Sequence, residues 1–128
     1  MIFNGILIGS EDPGALSAYY RKLFGEPGWD DGGYTGWQIG SGGISIGPHS
    51  EVHGKNTHPG RIIWNIESDD VRADFDRLVE RGAIVVREPY GFEGVDGLVA
   101  TLADPDDNYF QLVSPMPADP VAEVDPLT

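Results

Sequence analysis

The chain has 128 residues, 8 basic and 21 acidic side chains, a net charge of −13 and no cysteine. A length of this order fits one domain, which buries roughly two-thirds of the surface its unfolded chain exposes. The negative field repels phosphate backbones and anionic lipid surfaces, so neither nucleic acid nor membrane is expected as a partner. The lack of thiols excludes disulfides, thiolate nucleophiles and thiolate metal sites.

The opening stretch MIFNGILIGSEDPG has no basic flank and only a short apolar run. It reads as neither a signal peptide nor a membrane span, and a soluble, cytoplasmic protein is expected. Ile2 to Ile8 is short and β-branched and is followed by a turn-type cluster, which predicts a strand. Asp12-Pro13 is a helix-start pair, because the carboxylate accepts from free backbone N–H groups and proline at the first helical position loses nothing. Leu16, Tyr20, Leu23 and Phe24 then fall on one apolar stripe, and Gly25 supplies the stop. From Gly28 to Gly47 glycines break the chain every few residues, with Trp29, Tyr34, Trp37, Ile39, Ile44 and Ile46 between them. Short antiparallel strands joined by tight turns are expected there. The run PHSEVHGKNTHPGR has no periodicity and reads as a linker.

After the linker the order repeats. RIIWNIES predicts a strand, and Asp69-Asp70 opens a helix striped by Val71, Phe75, Leu78 and Val79 and closed by Gly82. Three strand-like pieces follow: AIVVREPY, LVATLADP and NYFQLVS. The four stripe residues of the first helix map onto those of the second at a constant offset of 55 residues. Internal similarity of this kind indicates a duplicated supersecondary unit. The expected fold is α+β, two tandem βαβββ modules over 1–48 and 61–115 joined by a linker at 49–60. The segment 116–128, proline-rich and acidic, is expected to be an extended or unstructured arm.

The stretches SEDPGALSAYYRKLFG, IESDDVRADFDRLVERGA and DPDDNYFQLVSP, set in this paired-module order, resemble the vicinal oxygen chelate superfamily of glyoxalases, bleomycin-resistance proteins and extradiol dioxygenases. The likeness spans Ile2 to Pro115, with Asp107 standing where the family usually has glycine. It implies a curved eight-stranded mixed sheet around a ligand cavity, frequent homodimerisation and, in the enzymes, a divalent metal held by histidine and glutamate. The positions matching those ligands hold Gly5, Ser45, Ile63 and Gln111. None is an imidazole or a carboxylate, the donors such an ion requires, so no metal and no cofactor are expected.

His49, His53 and His58 all lie in the linker, where Pro48, Gly54 and Pro59 block helical presentation. They read as solvated loop residues, with His49 nearest the cavity. Strand alternation puts Tyr109, Gln111 and Val113 opposite Phe110 and Leu112, and Ile63, Asn65 and Glu67 opposite Trp64 and Ile66. The more polar set is assigned to the cavity. The rim aromatics are Trp29, Tyr34, Trp37, Tyr90, Phe92 and Tyr109. The candidate ligand-binding residues are therefore Trp37, His49, Asn65, Glu67, Tyr90, Phe92, Tyr109 and Gln111. The carboxylates of Asp104-Pro105-Asp106-Asp107 read as turn chemistry.

Three function classes follow. The first is a metal-independent protein that binds a small organic ligand, an aromatic or cationic metabolite or drug, as bleomycin-resistance proteins do. The second is an enzyme, either metal-free with Glu67 as a general base in a desolvated pocket or a glyoxalase-like lyase or dioxygenase using an ion held by linker histidines. The third is an interaction module that uses its sheet for homodimerisation.

Overall fold

Single glycines, one glycine pair and two acidic helix caps mark several of the element ends. The computed structural model describes residues 1–115, so the arm expected over 116–128 lies outside the described residues. The first module runs β1 (Gly5–Ser10), α1 (Pro13–Phe24), β2 (Trp29–Asp31), β3 (Tyr34–Ile39) and β4 (Gly42–Pro48). The second runs β5 (Ile63–Glu67), α2 (Val71–Glu80), β6 (Ile84–Phe92), β7 (Val95–Ala103) and β8 (Tyr109–Val113). The eight strands form two four-stranded mixed sheets of matching order, β1-β4-β3-β2 and β5-β8-β7-β6. In each, the first and last strands of the module pair in parallel and the remaining neighbours pair antiparallel. No helix among the described residues is long and apolar enough to cross a membrane.

Both helices begin as expected from the sequence. Asp12 accepts a hydrogen bond from the Ala15 N–H and Asp70 from the Ala73 N–H, each at 3.1 Å. Gly25 and Gly82, with φ of 85° and 104°, end them. The β2–β3 turn uses Gly32 and Gly33, both at positive φ, which matches the twist of a two-residue hairpin. The stripes pack as drawn at three of four positions in each helix, since Leu16, Tyr20, Leu23, Val71, Phe75 and Leu78 are buried. Phe24 is half-buried, whereas Val79 is 39% exposed at the end of α2. β6 and β7 run further than expected, meeting at a turn over Glu93 and Gly94. Pro89 does not end β6, because β6 is an edge strand and its register with β7 shifts between Arg87 and Tyr90.

One core joins the modules. Tyr20 is wholly buried, and its ring lies 6.1 to 6.3 Å from those of Trp37, Trp64 and Phe110, so α1 packs against the inner faces of both sheets. The adjacent tyrosines of α1 then reach into the second module. Tyr19 Oη donates to the Ala103 carbonyl at 2.7 Å and accepts from the Ile84 N–H at 2.9 Å. Tyr20 Oη donates to the carboxylate of Asp104, itself fully buried, at 2.7 Å. Arg81, just past α2, donates to the Leu23 carbonyl at the end of α1. These contacts set the angle at which the two sheets present their outer faces.

Asp104 is therefore more than a turn residue. Its oxygens also accept from the Asp106 and Asn108 N–H groups and from the Asn108 amide. Burial pushes the Asp104 carboxyl up from its usual range, with the hydrogen bonds from Asn108 and Tyr20 working against that rise. Burial also drives the Tyr20 phenol well up, and the Asp104 charge adds to it. Asp107 sits at φ 61°, the left-handed conformation that glycine adopts at least cost.

Candidate functional site

Side-chain alternation leaves each sheet with one face on the core and one face open. On the second sheet the core face carries Trp64, Phe110, Leu102 and Leu112, and the open face carries Ile63, Asn65, Glu67, Tyr109, Gln111 and Val113. In register across that open face stand Asn65, Gln111, Thr101 and Arg87, one polar residue from each strand. Gln111 Nε2 donates to Thr101 Oγ1 at 3.1 Å, which holds the amide against the sheet. The next row includes Glu67, opposite Val113, and Tyr90, opposite Val99.

A cleft of about 770 Å³ separates the two sheets along the edges of β1 and β5. Phe3, Gly5, Ile39 and Ile63 give it an apolar lining, and Asn65 and Glu67 supply its polar groups. The Trp64 indole N–H is buried at its wall without a hydrogen-bond partner among the described residues. The size and the mixture of apolar walls with a few polar groups are those of an organic-ligand site.

The eight candidate ligand-binding residues divide by place. Asn65 and Glu67 line the cleft. Gln111 and Tyr109 lie on β8 behind β5, half-buried on the same open face. Tyr90 and Phe92 stand on β6 at the far edge, with ring centroids 5.2 Å apart and the Arg87 guanidinium 3.5 Å above the Tyr90 ring. Trp37 requires a correction. It is 3% exposed in the core under α1, with its indole N–H bound to the Gly25 carbonyl, so it faces no ligand. Alternation along β3 carries the signal, since Trp37 shares a face with Thr35 and Ile39, whereas Tyr34 and Gly36 point the other way.

His49 is exposed just past β4, beside Gly9, and its Nδ1 accepts from the Glu51 N–H at 3.2 Å. His53 stands 4.0 Å from the Glu11 carboxylate at a smaller hollow of about 320 Å³ in the linker. Among the described residues no three or more histidine, aspartate or glutamate side chains come together as a metal site. The superfamily positions do not supply one either. Gly5 and Ile63 carry no donor, Ser45 Oγ points to the Ile6 carbonyl at 3.5 Å, and Gln111 is engaged by Thr101. This donor set does not fit a divalent ion. Glu67 is exposed, so the desolvated setting required of a general base is missing from the single chain.

Comparison with known proteins agrees with this geometry. The family model for a glyoxalase-like domain matches residues 5–113, from the first residue of β1 to the last of β8. The chain belongs to that family. The glyoxalase-like domain places it within the vicinal oxygen chelate superfamily, and solved structures share its fold. A glyoxalase/bleomycin resistance protein from Catenulispora Acidiphila DSM 44928 is 22% identical, with a TM-score of 0.67 over 90% of this chain and 97% of that one. A glyoxalase/bleomycin resistance protein/dioxygenase family enzyme from Burkholderia phytofirmans PsJN is 22% identical, with a TM-score of 0.66 over 87% and 96%. TnmS3, an antibiotic binding protein from Streptomyces sp. CB03234, is 22% identical, with a TM-score of 0.69 over 91% and 97%. At these identities the likeness is one of fold. No curated protein matches the chain.

Proposed function

We propose that this glyoxalase-like domain is a metal-independent binding protein for a small organic ligand, an aromatic or cationic metabolite or drug. The observation that carries the reading is the donor set. Gly5, Ser45, Ile63 and Gln111, the positions that the resemblance matches to the ion ligands of superfamily enzymes, hold no imidazole or carboxylate, and Gly5 and Ile63 border an apolar cleft that also presents the Asn65 amide and the Glu67 carboxylate. Such a lining recognises the body of an organic molecule through its walls and orients it through Asn65 and Glu67. The antibiotic-binding role in the name of TnmS3 is in keeping with a binding protein on this fold. The alternatives are a lyase- or dioxygenase-like enzyme and a pure interaction module.

The protein is further proposed to be a cytoplasmic homodimer. Phe3 and Ile62 are 83% and 75% exposed beside the unpaired edges of β1 and β5, and pairing across a two-fold axis covers both. Light scattering at micromolar concentration is expected to give the dimer mass, and a monomer overturns this part. The ligand reading is tested by elemental analysis together with a thermal-shift screen of small aromatic and cationic compounds. Less than a tenth of an equivalent of divalent metal and a saturable, ligand-dependent rise in melting temperature are expected. Near-stoichiometric zinc, nickel, manganese or iron, removed by chelator along with binding, overturns it.

A further inference from the structure

The open face of the first sheet is built differently from that of the second. Along β1, β4 and β3 it presents Gly5, Leu7 and Gly9, then Gly43, Ser45 and Gly47, then Tyr34, Gly36 and Gln38, while Ile8, Ile44, Ile46, Thr35 and Trp37 face the core. Five of those nine outward positions are glycine, so neighbouring side chains can lie directly on the backbone there. Glycine inside a strand weakens the sheet and marks places where something approaches the backbone closely.

Two of these glycines are already covered by aromatic rings. A Cβ built on Gly36 falls 2.1 Å from both Cε2 and Cζ2 of Trp29, its register partner on β2, so the indole lies across the glycine. A Cβ on Gly47 falls 2.1 Å from Cδ1 of Tyr34, whose ring lies across that glycine in the same way. Neither ring is buried by this. Trp29 is 50% exposed and Tyr34 is 37% exposed, so one side of each meets the floor and solvent reaches the other. Asp31 stands directly across from Tyr34, is exposed, and makes no ion pair among the described residues. Its neighbour Asp30 is held by Arg21 at 3.5 Å.

The second module offers an internal comparison. On its outer edge strand β6, which corresponds to β2, the Tyr90 ring carries the Arg87 guanidinium 3.5 Å from its centroid. The first module has the rings and a free carboxylate but no cation of its own on them among the described residues. Ring faces attract cations through their quadrupole, and a carboxylate beside them adds Coulomb attraction in a chain of net charge −13.

We infer that Trp29, Tyr34 and Asp31, on the glycine floor of Gly36 and Gly47, form a binding platform for a planar aromatic cation. The proposal rests on the ligand-binding reading above for its class of compound, and it assigns the cation to the outer edge of the first sheet, across β4 from the β1 edge that borders the cleft. The ligand stacks its ring on the open indole face and sets its charge toward the Asp31 carboxylate.

N-methylquinolinium and its neutral counterpart quinoline are suitable probes. Titrating full-length protein with each, followed by calorimetry and by tryptophan fluorescence, is expected to show saturable quenching with the cation bound more tightly. Trp37 is buried and Trp64 only partly accessible, so the exposed Trp29 is the main emitter open to quenching. Trp29→Leu is expected to weaken N-methylquinolinium roughly 3- to 30-fold, the range of an aromatic contact to a cation. Asp31→Asn is expected to narrow the gap between cation and neutral compound. Gly36→Ala, which pushes the indole off its floor, is expected to weaken binding while the fold is kept, as judged by circular dichroism. Glu80→Gln, at the exposed end of α2, is expected to leave it unchanged. Equal binding of quinoline and N-methylquinolinium by the native protein overturns the proposal. So does native-like binding by Trp29→Leu with loss in Gln111→Leu, a result that leaves the ligand-binding reading standing on the second sheet.

Discussion

Tyr20→Phe removes one oxygen from the centre of the molecule and tests whether the bridge between the modules stabilises the fold. The phenyl ring stays among Phe24, Trp37, Trp64 and Phe110, so no cavity opens. What is lost is the 2.7 Å hydrogen bond to the buried Asp104 carboxylate. A hydrogen bond to a charged group contributes about 1.5–3 kcal/mol. The same oxygen keeps the Asn108 amide at 3.0 Å, which places the loss in the lower part of that range, about 1.5–2 kcal/mol. For a domain of this length that is a fall in melting temperature of roughly 6–8 °C. Urea unfolding followed by tryptophan fluorescence is the assay, because Trp37 and Trp64 both lie against Tyr20. The transition is expected to keep its slope and move to lower urea. A loss below about 0.5 kcal/mol at constant slope refutes the reasoning, since it would rank this bond with ordinary surface contacts.

Asp104 links the same bridge to pH. Because burial raises its carboxyl, the folded state holds the proton to higher pH than the unfolded state does, so the Asp104 contribution to stability is fully present below the ordinary aspartate value and is lost as pH rises through the folded one. The stability of Asp104→Asn relative to the native protein is therefore expected to rise with pH across that acid window and then level off; a relative stability that falls there contradicts it. Gln111→Leu is expected to keep the fold and weaken ligand binding at the second sheet by roughly 0.5–1.5 kcal/mol, read by calorimetry, as one neutral hydrogen bond is lost. Gln111→Glu restores a single carboxylate among Gly5, Ser45 and Ile63, so zinc and manganese titrations are expected to show no tight site; tight binding would reveal donors elsewhere. Asp107→Gly relieves a side chain held at φ 61° and is expected to raise stability by up to about 1 kcal/mol in the same urea assay, with a marked loss counting against it.

Much of the fold was legible in local chemistry. Asp12 and Asp70 cap the helices, Gly25 and Gly82 end them, and the repeated stripe announces two equivalent modules, because capping, left-handed stops and helical periodicity act within a few residues. Alternation also sorted the faces of β5 and β8, with Phe110 and Leu112 inward and Gln111 outward. Three features needed the tertiary structure. Trp37 and Tyr34 sit three apart in one short strand, so alternation separates their faces, and packing against Tyr20 of α1 makes the Trp37 face the core. Asp104 looks like a turn residue until Tyr20, 84 positions away, reaches it. The glycine floor under Trp29 and Tyr34 exists because Gly36 of β3 and Gly47 of β4 fall on one face beside those rings, a coincidence of pairing that no single stretch of sequence contains. Local rules thus set the elements and their apolar faces, whereas the clefts and ring platforms arise between residues distant in sequence, where strand register and module packing decide.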